Sequence, residues 1–175
     1  MTAPEFSRTV RIDTIGEAPR AMEIAADEGE RAALAARFGL IGLARLEAAL
    51  TLSRRGAEVA VRGRLAAAVT QACVASGAPV AAEVDAPFDI LFRPQPDAEA
   101  PEEEIELSES EMDVVFVAGA GIDVGEAVAE TLALALDPYP RAPGAEEALR
   151  AAGVKSEEEA GPFAALAGLR DKLKK

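Results

Sequence analysis

The chain has 175 residues, enough for one domain with its own apolar core, about 70% of whose unfolded-chain surface would be buried. It carries a single cysteine, no histidine and a net charge of −13, so an internal disulfide, a thiolate zinc site and histidine-based catalysis are all excluded within one chain. The charge is uneven: nine of the 31 acids fall between Pro94 and Asp113 with no base among them, leaving 22 acids against 18 bases elsewhere.

From the N-terminus, Phe6, Val10 and Ile12 alternate with Ser7, Thr9 and Arg11, which predicts a half-buried strand over Phe6–Ile12, with Arg8 the exception on its apolar side. No basic leader or apolar span of about 20 residues is seen, and the expectation is a soluble cytoplasmic protein. Asp27 and Glu30 have capping-box spacing, Leu34 and Phe38 repeat at helical distance and Gly39 provides a stop, so a short helix is expected there. Leu46, Ala48, Leu50 and Leu52 then share one face opposite Arg45, Glu47, Ala49 and Thr51. After Ser53-Arg54-Arg55-Gly56 the parity of the apolar positions switches, to Val59, Val61, Leu65, Ala67 and Val69. This predicts a hairpin with an even-numbered loop, pairing Leu50 with Val59 and Glu47 with Arg62.

A further long strand is expected over Val80–Phe92, with Val84, Ala86, Phe88, Ile90 and Phe92 inward and Pro87 marking an edge or a bulge. Residues 94–111 hold three prolines and almost no apolar side chains, and are expected to form a mobile acidic loop. Strand character resumes over Met112–Val117. A helix is then expected from Asp123 to about Leu136, carrying Val124, Val128 and Leu132 at successive fourth positions. The remaining 145–175 segment reads as a helical tail whose last helix starts at Pro162, buries Phe163, Leu166, Leu169 and Leu173, and ends in lysines.

Gly119, Gly121 and Gly125 follow a strand and precede a helix, as the phosphate turn of a dinucleotide site would. Against this, Asp123 and Glu126 have capping-box spacing, which would put a carboxylate where the phosphate must sit, and no strand follows the helix. The glycines are read as a turn out of a strand, and no cofactor or metal is expected.

Three segments together resemble the YceD family of large ribosomal RNA subunit accumulation proteins: "VRGRLAAAVTQACVASGAPVAAEVDAPFDILF" (61–92), "GIDVGEAVAETLALALDPYPRAPG" (121–144) and "GPFAALAGLRDKLKK" (161–175). Family members place an acidic loop between the first two, as this chain does. Many of them carry Cys-x-x-Cys where this chain has Cys73-Val74-Ala75-Ser76, so a paired-thiol role does not transfer. Cys73 lies at the odd, apolar parity of its strand and is read as a small hydrophobe in the sheet core.

The expected fold is α+β: one domain over 1–175, with an antiparallel sheet of about five strands, helices from both ends of the chain packed on it, and the acidic loop. The resemblance implies a non-catalytic factor in biogenesis or stability of the large ribosomal subunit. Its partner would be large-subunit ribosomal RNA or a basic ribosomal protein, with neither DNA nor a membrane involved. Arg45, Arg54, Arg55, Arg62 and Arg64 surround the hairpin; they read either as an RNA contact or as ordinary solvated charge. Two other readings stay open: a nucleotide-dependent enzyme using the 119–125 turn, and a general protein-binding adaptor.

Overall fold

The computed structural model describes residues 4–95 and 113–154. Residues 96–111 of the expected acidic loop, Met112 of the strand expected after it, and the helix expected from Pro162 lie outside the described residues. The described residues fall into two compact units: one of residues 4–71, 81–95 and 113–137, the other of residues 72–80 and 138–154.

The first unit is built on a five-stranded sheet in the order β2-β3-β4-β5-β6, formed by Arg20–Ala25, Gly42–Arg55, Glu58–Ala72, Pro79–Pro94 and Asp113–Val117. A two-stranded antiparallel ribbon, β1 (Thr9–Arg11) with β7 (Gly121–Asp123), completes its strands. Helix α1 (Glu28–Arg37) starts at Asp27, whose carboxylate accepts from the Glu30 N–H at 2.8 Å while the Glu30 carboxylate accepts from the Asp27 N–H at 2.8 Å. This is the capping box expected from the spacing. Helix α2 (Val124–Ala135) turns Val124, Val128 and Leu132 into the interior, each at 0% exposure.

The two long strands β3 and β4 alternate as their sequences require. Leu46, Leu50, Leu52, Val59, Val61 and Leu65 fill the inner face, and Phe6, Leu34, Ile122, Val128 and Leu132 join them in one apolar cluster. With about 25 cal/mol stabilisation per Å² of apolar surface removed from water, this cluster is the main driving force for the unit.

The α+β class is as expected, but the sheet is mixed, because β5 and β6 run parallel, Ile90 beside Asp113 and Pro94 beside Val117. A parallel pair needs a crossover of a dozen or more residues, and the segment between the two strands has that length. Pro94 belongs to β5 and not to the acidic segment. Among the described residues β6 pairs only with the 90–94 part of β5, so at Pro87 that strand has neighbours on one side, where a residue without an N–H is tolerated.

The hairpin loop is even-numbered, yet its centre lies two residues later than the parity switch suggested. Gly56 and Ala57 form a two-residue turn, with Arg55 beside Glu58, Leu52 beside Val61, Leu50 beside Gly63 and Glu47 beside Ala66. Gly56, at φ 62°, supplies the positive φ that such a short loop demands. A shift of the centre by a whole two residues preserves the faces, so alternation alone could not distinguish the registers. The expected Glu47–Arg62 pair is therefore replaced by other partners.

Strand β2 was not foreseen, since Arg20–Ala25 has little alternation. Only three residues of the strand expected over Phe6–Ile12 pair as one, and its continuation, Ile12–Thr14, is a turn of 3₁₀ helix.

Candidate functional site

The glycine-rich stretch is a strand that pairs with the N-terminal segment. Gly121, Ile122 and Asp123 lie antiparallel to Arg11, Val10 and Thr9, so no βαβ unit surrounds the turn. The Asp123 carboxylate accepts from the N–H of Gly125 at 3.0 Å and of Glu126 at 3.1 Å, and from the Arg8 N–H at 2.8 Å and the Ser7 hydroxyl. The free donors that would receive a phosphate are thereby taken. The cap is not the reciprocal box expected from Asp123 and Glu126, because the Glu126 carboxylate instead holds Arg37 at 2.7 Å, between helices α1 and α2. Gly125 is explained by packing: a Cβ there would lie 2.9 Å from the Arg8 nitrogen and closer still to the Phe6 carbonyl oxygen.

The outer face of the sheet carries most of the arginines expected to bind RNA. Arg45 reaches Glu47 at 2.6 Å and Glu83 at 2.9 Å, Arg62 reaches Asp89 at 2.9 Å, and Arg64 pairs with Asp85. Arg93, not singled out in the sequence, pairs with Glu58 at 2.8 Å. Cross-strand acid–base pairs thus run over β3, β4 and β5, with each of these arginines matched by a carboxylate. Such pairs contribute roughly 0–1 kcal/mol each when exposed.

The other two arginines differ. Arg54 has the parity of Leu50 and Leu52, and its guanidinium donates to the carbonyl oxygens of Gly56 at 2.8 Å and Ile12 at 3.1 Å. Arg55 is exposed and, among the described residues, its side chain has no hydrogen bond or ion pair. Both line a cleft of about 480 Å³ at the turn end of the sheet, together with Glu17, Ser53, Ala60 and Leu91; Glu58 and Arg62 complete its wall. The backbone bond from the Arg54 N–H to the Gly16 carbonyl, 2.8 Å, brings Glu17 to this place. The structure therefore gathers Arg54, Arg55 and Arg62 at one cleft, and leaves Arg45 and Arg64 on the face beyond it. Glu17, Ser53 and Leu91 were missed, and only the correct register of the hairpin could have put Ser53 beside Ala60.

Cys73 is buried but not in the sheet core. Strand β4 ends at Ala72, and Cys73 opens a turn in the second unit, outside the main apolar cluster. There its N–H donates to the Ala78 carbonyl at 2.8 Å, its carbonyl accepts from Gly77 at 2.8 Å, and the Val74 N–H bonds the Pro140 carbonyl at 2.9 Å. A hydrogen bond from the Ala142 backbone N–H, followed in weight by one from the Ser76 hydroxyl, pulls the thiol down to about 6. Ser76 thus serves as a donor to this thiol.

Among the described residues no group of three acidic or cysteine side chains is arranged to hold a metal ion, and no helix is long and apolar enough to cross a membrane.

The family model described as "Large ribosomal RNA subunit accumulation protein YceD" matches residues 61–170, well over half of the chain. The chain belongs to the YceD family. No curated protein and no solved structure matches it. The family's description connects its members with accumulation of large-subunit ribosomal RNA, and the match starts within β4 and takes in β5, β6, β7 and α2.

Proposed function

We propose that this YceD protein is a non-catalytic cytoplasmic factor that binds an immature large ribosomal subunit and so supports accumulation of its RNA. The observation that carries the reading is the family match over residues 61–170. The site chemistry agrees with it. The helix N-terminus that a nucleotide-dependent enzyme would use for phosphate is capped by Asp123, and chain-wide there is no histidine to serve as a neutral-pH base.

We assign the direct contact to the ribosomal RNA, through Arg54 and Arg55 beside the hairpin turn. A basic ribosomal protein is the second reading, favoured by the nine acids between Pro94 and Asp113, whose charge density would steer a cationic partner.

Depletion of the protein tests the function. The expected result is a fall in large-subunit RNA relative to small-subunit RNA, with loss of mature large subunits from a sedimentation profile. An unchanged ratio and an unchanged profile would refute it. Removal of residues 96–111 separates the two contacts: particle association survives if RNA is touched through the hairpin and is lost if the acidic segment docks a protein.

A further inference from the structure

We infer that the cleft at the turn end of the sheet seats one nucleotide of single-stranded RNA, with its phosphodiester on Arg54 and Arg55 and its ribose beside Glu17. The inference rests on the ribosomal-RNA reading above and narrows it to one place.

Charge selects that place. Over β3, β4 and β5 the arginines Arg45, Arg62, Arg64 and Arg93 already hold carboxylates, and an incoming phosphate would have to displace them. The larger depression on that face, about 570 Å³, is lined by Glu23, Glu47 and Asp85 against the single base Arg64, a balance that repels a phosphate. At the turn end the sign reverses. Two acid–base pairs, Arg62–Asp89 and Arg93–Glu58, cancel there. Among the described residues Arg54 and Arg55 form no ion pair, and the remaining acid of the lining, Glu17, forms none either. Asp13 also feels the charge of Arg54, but its carboxylate is held first by Arg11, which depresses its pKa.

Shape and chemistry narrow the ligand further. A cleft of about 480 Å³ accommodates a single splayed-out nucleotide rather than the rigid backbone of a duplex. Its guanidinium groups offer donors to phosphate oxygens, and the planar group of Arg55 offers a stacking surface for a base. Ala60 and Leu91 supply an apolar floor. Glu17 cannot contact phosphate, yet its carboxylate can accept a hydrogen bond from the ribose 2′-hydroxyl, the group that distinguishes RNA from DNA. Two carbonyl bonds fix Arg54, so its charge is held at the cleft with little further loss of side-chain entropy.

Fluorescence anisotropy with labelled single-stranded oligoribonucleotides, and with deoxyribonucleotides of the same sequence, tests this on the full chain. The wild-type protein is expected to bind RNA more tightly than DNA, with an affinity that falls as salt is raised. Arg55→Glu should weaken RNA binding at least tenfold. Arg55→Ala should lower the slope of log affinity against log salt by about 0.7, one phosphate's worth on a single strand. Glu17→Ala should bring RNA and DNA affinities together, and Arg64→Ala, on the paired face, should change binding less than twofold. Thermal unfolding of each variant establishes that it is folded.

Three results would overturn the inference: no RNA binding by the wild-type chain at low salt, equal losses from Arg55→Ala and Arg64→Ala, or capture of an acidic peptide by the cleft in place of RNA. Any of these, found beside a depletion phenotype in large-subunit RNA, would remove the nucleotide site while leaving the ribosomal function standing. An unchanged RNA ratio on depletion would remove that function instead.

Discussion

The two faces of the five-stranded sheet come from the same strands, residue by residue in alternation, and differ in what holds them. On the inner face of β3 and β4, Leu52, Val61 and Leu65 are essentially inaccessible to water, and their contribution comes from burial and close packing. On the outer face the neighbouring positions Arg62 and Arg64 stay exposed and hold Asp89 and Asp85. The first set determines whether the chain folds. The second set keeps one side of the sheet charged and solvated, and among the described residues leaves Arg54 and Arg55 without ion pairs at its turn end.

The sharpest way to break this comparison is to truncate a side chain on the inner face. Leu65 is at 0% exposure on a central strand, so Leu65→Ala should lose the transfer energy of its side chain and leave a cavity, a cost of about 2–5 kcal/mol measured by denaturant unfolding. A loss under 1 kcal/mol would mean that the sheet can collapse around the gap and that the inner face is not tightly packed.

A smaller effect in the opposite sense is expected two residues away. Gly63 has the parity of Leu65, faces Leu50 across the hairpin and lies under the ring of Phe88. A Cβ there would stand 2.5 Å from the Ala49 carbonyl oxygen, 2.7 Å from the Phe88 ring and 2.8 Å from the Leu50 Cβ. Two of these three neighbours are fixed by the ladder, so Gly63→Ala should cost about 1–3 kcal/mol through overpacking. An unfolding midpoint equal to the wild type would show that Phe88 alone moves aside.

Much of this division was legible in the sequence. Alternation in Leu46 to Val69 identified the faces, the Asp27 and Glu30 spacing located α1, and Val124, Val128 and Leu132 located α2. What escaped was information that alternation does not carry. The register depends on where a two-residue turn settles, and a shift of its centre by two residues keeps every side chain on its face while changing all its partners. Parallel pairing of β6 depends on a crossover outside the strand itself. Strand β2 is held by pairing with β3, Arg20 beside Leu52 through Ala25 beside Glu47, and its own sequence shows little pattern. At the candidate site Arg54, Arg55 and Arg62 were identified by type, but Glu17, Ser53 and Leu91 come from three separate elements that only the fold assembles.

The helix cap gives an intermediate effect, since it is polar like the outer face but shielded like the inner one. The Asp123 carboxylate binds two N–H groups of α2 and two further donors from the N-terminal segment. Asp123→Ala should cost about 0.5–2 kcal/mol, with Asp123→Asn recovering part of it because an amide oxygen still accepts at the helix start. Equal losses for the two variants would assign the effect to the charge and not to the cap.

The smallest effect belongs to the outer face, and it is the one that would sharpen the comparison most. Arg64 and Asp85 form an ion pair with side chains 60% and 63% exposed. In that setting water screens both charges, and holding two flexible side chains together costs entropy that offsets most of the attraction. A double-mutant cycle of Arg64→Ala and Asp85→Ala should therefore give a coupling of about 0.2–1 kcal/mol, shrinking further as salt is raised. Since neither side chain is buried, each single change should also lie within about 0.5 kcal/mol of the wild type. A coupling above about 2 kcal/mol, insensitive to salt, would make the paired face a structural element comparable to the core. The paired arginines Arg45, Arg62 and Arg64 would then be needed for folding, which would leave Arg54 and Arg55 at the turn end free for a ligand.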